Sequence, residues 1–96
     1  MSRDDLEARW FELTRERMPA MAAGRGWPVR FDHCFQRICL DNAVGAKWRD
    51  VIDAPAYRNA PDEVLARAVS LAEDVIAGSR DLAELNAASL DFRGKL

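Results

Sequence analysis

Cysteine and histidine are scarce in this sequence, which has two cysteines and one histidine among its 96 residues. Zinc sites usually use four such ligands at spacings like Cys-x-x-Cys, and no such spacing occurs here. Cys34 and Cys39 lie five residues apart in a predicted helix, about 7.5 Å apart along its axis and on different faces, so they cannot form a disulfide within that helix. We therefore expect no metal, no cofactor and a reducing compartment.

Long apolar runs and a surplus of basic residues are also missing. No run approaches the roughly 20 apolar residues that a transmembrane helix needs. The charged N-terminal segment, MSRDDLEARW, lacks the apolar stretch of a secretory signal. Fourteen lysines and arginines stand against 16 aspartates and glutamates, whereas proteins that bind nucleic acids normally carry a basic surplus or stripe. The sequence predicts a cytoplasmic protein that binds neither membranes nor nucleic acids.

The composition is that of a folded chain, with 49% hydrophobic and 31% charged residues. The length is sufficient for one hydrophobic core. No segment alternates apolar and polar residues long enough to predict a strand, and there is no internal repeat. We therefore predict a single all-α domain spanning residues 1–96, a compact bundle of four or five helices.

The first predicted helix begins after Ser2, a residue type that favours the N-cap position. One face of this helix is mainly apolar but includes Arg17. The residues that share this face are Leu6, Trp10, Leu13, Arg17, Ala20 and Met21. We expect Pro19 to kink or interrupt the helix, because proline removes a backbone hydrogen bond and clashes with the preceding turn.

Three more helices are predicted. The second has Asp32 as its N-cap, runs to about residue 43 and continues past a bend near Gly45 to residue 52. Residues 53–61 form a loop, after which an amphipathic third helix starts at Pro61 and ends at Gly78. The fourth is capped by Ser79 and runs through residue 92 to a glycine at position 94.

The second helix carries a polar stripe of His33, Arg37 and Asp41, each four residues after the last. Apolar residues border the stripe on both sides; those on one side form an arc of Phe31, Cys34, Phe35 and Ile38. Such a stripe is not typical of a face in open water. Two interpretations stay open. Either Arg37 pairs with Asp41 in a closed structural network, or the stripe lines a pocket.

Three further residues are candidates for the same site. Arg17 would point towards Asp41 if the first helix packs on the second. Trp48 lies on the same helix face as the stripe, one or two turns later, and Tyr57 is placed to line the rim of a pocket. The candidate ligand-binding residues are thus Arg17, His33, Arg37, Asp41, Trp48 and Tyr57. The two cysteines occupy apolar positions typical of small core residues, and we expect both to react slowly with thiol reagents.

The segment GWPVRFDHCFQRICLDNAVGAKW, together with PAYR, DLAELNAASL and FRGK, resembles a family of short, uncharacterised bacterial proteins. Some members of that family are labelled as related to GNAT-type N-acetyltransferases. A GNAT domain needs a β-sheet and a pyrophosphate-binding loop that this sequence lacks. For this chain the resemblance therefore implies a role as an accessory to an acetyltransferase.

Two functional hypotheses follow from the stripe. The first is a binding or interaction module, which acts through a partner protein or through a small anionic ligand held by Arg17, Arg37 and His33. The alternative is a small enzyme in which His33 serves as general acid and base beside Arg37 and Asp41. The enzyme needs a concave pocket that reaches His33, whereas the module needs only a groove or an exposed patch.

Overall fold

The computed structural model describes residues 1–95, and every regular element in that range is helical. The α-helices are α1 (Arg3–Phe11), α2 (Met18–Arg25), α3 (Asp32–Val44), α4 (Ala56–Asn59), α5 (Asp62–Ala77) and α6 (Leu82–Phe92). A π-helical turn, Glu12–Arg17, joins α1 to α2 without a break. Because the π turn joins α1 and α2 into one helix, residues 1–95 contain five separate α-helical segments. This confirms the predicted all-α bundle.

Helix α3 is at the centre of the bundle, where it packs against α5, α6 and the π turn, while α1 packs on α5. The core lies between these helices. Its largest fully buried apolar side chains are Trp10, Phe35, Leu13, Met18, Ile38 and Leu65. The amphipathic pattern predicted for the third helix is confirmed in α5, whose apolar side supplies six buried residues to this core.

The predicted interruption at Pro19 takes the form of a wider turn that ends just before it. Pro19 has no N–H, and its ring crowds the carbonyl of the residue four positions earlier. In the π turn the Met18 N–H bonds to the Leu13 carbonyl, five residues back, and the chain then continues as α2. The extra residue in this turn shifts the buried stripe, so that Met18 is buried and Arg17 is exposed. The prediction that Arg17 shares the buried face is wrong for this reason.

Of the three N-caps predicted from the sequence, the structure has one at the predicted residue and two at other residues. The Asp5 N–H donates to Ser2 Oγ at 3.1 Å, which confirms the first N-cap. Helix α3 starts at Asp32 rather than after it. Helix α6 is capped by Asp81, whose carboxylate accepts from the Ala83 N–H at 3.0 Å, and not by Ser79.

The second helix is shorter than predicted. It ends at Val44, because Gly45 adopts a left-handed conformation with φ of 74° that a helix cannot continue through. A short 3₁₀ turn, Trp48–Asp50, follows, and the predicted loop at 53–61 contains α4. The chain between Gly45 and α5 therefore folds back over the bundle, which brings Trp48 and Tyr57 to the same cavity.

None of the helices in residues 1–95 is both long and apolar enough to cross a membrane.

Candidate functional site

A cavity of about 450 Å³ opens between α1, α3 and the chain segment 48–57. This volume lies within the range of about 300–1,000 Å³ that is typical of small-molecule sites. The polar and aromatic residues in its lining are Trp10, Phe11, Arg15, His33, Gln36, Arg37, Trp48, Arg49, Tyr57 and Arg93. The cavity therefore combines aromatic rings with basic side chains.

One face of α3 supplies a wall of the cavity. His33, Gln36, Arg37 and Leu40 all line it, and their spacing of three, four and seven residues from His33 places them on one side of the helix. The polar stripe expected from the sequence thus contributes two of its three members to the cavity. The third member, Asp41, does not line it.

The charge of the cavity lining is entirely positive. Four arginines line the cavity, namely Arg15, Arg37, Arg49 and Arg93, and no aspartate or glutamate of residues 1–95 is part of its lining. The whole chain has a net charge of −2, so the cavity concentrates positive charge in a protein that is acidic overall. An environment of this kind attracts anions.

Asp41 lies behind the cavity and is 0% exposed. Its carboxylate accepts two hydrogen bonds from Arg93, from Nε at 2.7 Å and from Nη2 at 3.0 Å. It also accepts from Ser89 Oγ at 2.7 Å and from the Trp48 backbone N–H at 2.9 Å. Arg93, and not Arg37, therefore neutralises the buried charge, which corrects the direct Arg37–Asp41 pairing that the closed-network interpretation assumed.

Arg37 contacts Asp41 only through Ser89. Its Nη1 donates to Ser89 Oγ at 2.7 Å, and its Nη2 donates to Asn86 Oδ1 at 2.8 Å. Both acceptors are neutral, and within residues 1–95 no carboxylate lies close enough to Arg37 to form an ion pair. Arg37 thus forms no ion pair with the described residues, and α6 holds its side chain at the cavity wall.

Arg15 and Arg49 rest on aromatic rings of the same cavity. The guanidinium carbon of Arg15 lies 3.8 Å from the centre of the Phe11 ring, and that of Arg49 lies 5.0 Å from the Trp48 ring. Both are cation–π contacts. In the described part of the chain neither arginine forms an ion pair, so the charges of both are available to a ligand.

His33 stands at the rim of the cavity with its side chain 77% exposed. Its ring stacks on that of Phe31, with centres 5.8 Å apart, and its Nδ1 lies 3.6 Å from a carboxylate oxygen of Asp32. Asp41 is buried behind the cavity wall, and its carboxylate is already bonded to Arg93, Ser89 and the Trp48 backbone. The structure therefore does not bring His33, Arg37 and Asp41 together on one surface.

Of the six candidate residues, four line the cavity: His33, Arg37, Trp48 and Tyr57. Asp41 lies behind the wall and Arg17 is exposed elsewhere. Sequence analysis missed Arg15, Arg49 and Arg93. Gln36 could have been found, since it is three residues after His33 and one before Arg37 on the same helix face.

The two cysteines differ in burial. Cys39 is fully buried, and burial raises the pKa of its thiol to about 12, so at pH 8 only about one molecule in ten thousand is a thiolate. We expect Cys39 in a Cys34→Ser variant to react with a disulfide reagent only after a denaturant is added. The Cys39→Ala variant is the control: it leaves only Cys34, which is half-buried and not in the core as the sequence suggested, so Cys34 should react faster than Cys39. Rapid labelling of Cys39 in the folded protein would contradict this burial.

No family model matches the chain, and comparisons with curated proteins and with solved structures give no match. The resemblance to short bacterial proteins labelled as acetyltransferase-related therefore stays a prediction. The chemistry of the cavity is the basis for a functional proposal.

Proposed function

We propose that this protein is a small binding module whose cavity takes an anionic ligand. The observation that carries the proposal is that Arg15, Arg37 and Arg49 line one cavity without a carboxylate partner in residues 1–95. Guanidinium groups bind carboxylates and phosphates through paired, charge-assisted hydrogen bonds. An anion in the cavity would supply the missing partner.

The fixed position of Arg37 supports this proposal. Asn86 and Ser89 accept from its two terminal nitrogens, while Ser89 is itself held by the buried Asp41. Of the five N–H donors of an arginine, two are used in this way, and the other three form no hydrogen bond with residues 1–95. Because its side chain is already ordered, Arg37 loses little conformational freedom when it binds an anion.

The shape of the site favours a small ligand over a partner protein, since the basic groups line a concave cavity. The hydrogen bonds of Asp41 favour a binding function over catalysis. The alternative enzyme needs His33 beside Asp41, yet the Asp41 carboxylate is bonded to Arg93, Ser89 and the Trp48 backbone.

The experiment is a titration with inorganic phosphate at constant ionic strength, followed by tryptophan fluorescence, since Trp10 and Trp48 line the cavity. We expect a saturable change in the parent protein and at least a tenfold weaker affinity in Arg37→Ala, because one charge-assisted pair is lost. Arg17→Ala is the matched control, since Arg17 is exposed and outside the cavity lining. Equal loss of affinity in both variants, or no saturable binding in the parent, would contradict the proposal.

A further inference from the structure

We infer that the ligand is an aromatic anion, in which a planar ring is attached to a phosphate or carboxylate group. This inference rests on the proposed function and names the class of ligand. The first observation is size. The cavity has a volume of about 450 Å³, many times the roughly 30 Å³ that a water molecule takes up in the liquid. A bare inorganic anion of a few heavy atoms therefore fills only a small part of it.

The second observation is the aromatic part of the lining. Phe11, Trp48 and Tyr57 are half-buried rings that line the cavity. Phe11 and Tyr57 contact each other edge to face, with centres 4.8 Å apart, so they form a continuous apolar surface. Aromatic rings pack well on such surfaces in offset or edge-to-face arrangements. An aliphatic ion of one or two carbons could not cover this surface.

The third observation is the position of the free charges relative to the rings. Arg15 lies over Phe11 and Arg49 lies over Trp48, so two of the three arginines without a carboxylate partner in residues 1–95 are next to an aromatic ring of the cavity. A ligand that joins an anion to a ring can pair with a guanidinium and at the same time pack on the part of the adjacent half-buried ring that the guanidinium does not cover. A neutral aromatic compound would leave the guanidiniums without a partner.

The test uses three phosphate monoesters that differ only in their organic group, namely methyl, cyclohexyl and phenyl phosphate, measured by calorimetry on the full chain. We expect phenyl phosphate to bind at least tenfold more tightly than methyl phosphate and about threefold more tightly than cyclohexyl phosphate. Benzyl alcohol, which has the ring without the charge, should show no saturable binding over the same concentration range.

The outcomes separate this inference from the proposed function. If all three esters bind with equal affinity, the anion site stands and the aromatic ligand class is overturned; the same holds if cyclohexyl and phenyl phosphate bind equally. If no ester binds, the proposed function fails together with the inference. These comparisons need only the parent protein, so they do not depend on the folding of a variant.

A pair of tryptophan variants tests whether the preference for phenyl phosphate comes from the aromatic surface of the cavity. Trp48→Leu should weaken the binding of phenyl phosphate about tenfold and that of methyl phosphate much less, because the loss of the contact with Arg49 affects both esters, whereas the loss of the ring surface affects only the ester with a ring. Trp27→Leu is the matched control, since Trp27 is also half-buried but does not line the cavity. If Trp48→Leu weakens both esters equally, or if Trp27→Leu has the same effect, the assigned role of the aromatic surface is wrong.

Discussion

Replacing Asp41 by asparagine is expected to lower the free energy of unfolding by about 3–5 kcal/mol, the loss typical of a broken buried ion pair. Every partner of the Asp41 carboxylate is a donor: Arg93, the Ser89 hydroxyl and the Trp48 backbone N–H. Asparagine keeps the shape of the side chain but replaces one acceptor oxygen with an NH₂ donor, which then faces other donors. It also leaves the Arg93 charge without its counterion.

Urea unfolding followed by far-ultraviolet circular dichroism measures this loss. Asp62→Asn is the matched control, because the Asp62 side chain is 81% exposed and its ion pair with Arg3 is worth less than about 1 kcal/mol. Arg37→Ala should cost only about 1–2 kcal/mol, the range of one or two hydrogen bonds, since Asp41 keeps Arg93. Equal unfolding midpoints for Asp41→Asn and Asp62→Asn would contradict the role assigned to Asp41.

The second large effect is expected in the core, where Phe35→Ala should lower the free energy of unfolding by about 3–5 kcal/mol. Phe35 is 0% exposed, and its ring packs edge to face on that of Trp27, with centres 5.7 Å apart. Its truncation removes a large buried side chain and leaves a cavity at the central helix.

Phe31→Ala is the control for this substitution, since Phe31 is the same residue type four positions earlier and is 65% exposed. We expect a change of at most about 0.5 kcal/mol there. The sequence placed both phenylalanines on one apolar arc, so the pair also tests the structure against the sequence prediction. Similar losses in the two variants would favour the sequence prediction.

The parts of the fold that the sequence predicted are those determined by local signals. Helix α5 follows from its apolar pattern, from Pro61 before it and from Gly78 after it. Ser2 caps α1 as expected. On α3, the four-residue spacing of His33 and Arg37 was enough to predict that they share a face.

The parts that the sequence did not predict depend on irregular geometry or on distant contacts. The assignment of Arg17 assumed a regular 100° per residue, which the π turn before Pro19 breaks. The partner of Asp41 is Arg93, which lies 52 residues later in the chain. No local pattern connects the two, and the return of α6 to the end of α3 is a property of the tertiary fold.

The most direct measurement of the central claim, that this cavity binds anions, is the response of the three tryptophan indole N–H signals in a ¹H–¹⁵N correlation spectrum during a phosphate titration. Trp10 and Trp48 line the cavity and Trp27 does not. We predict saturable shifts of the Trp48 signal, smaller ones of Trp10 and none of Trp27, and the loss of these shifts in Arg37→Ala. Shifts of equal size in all three tryptophans, or none in any of them, would contradict the claim.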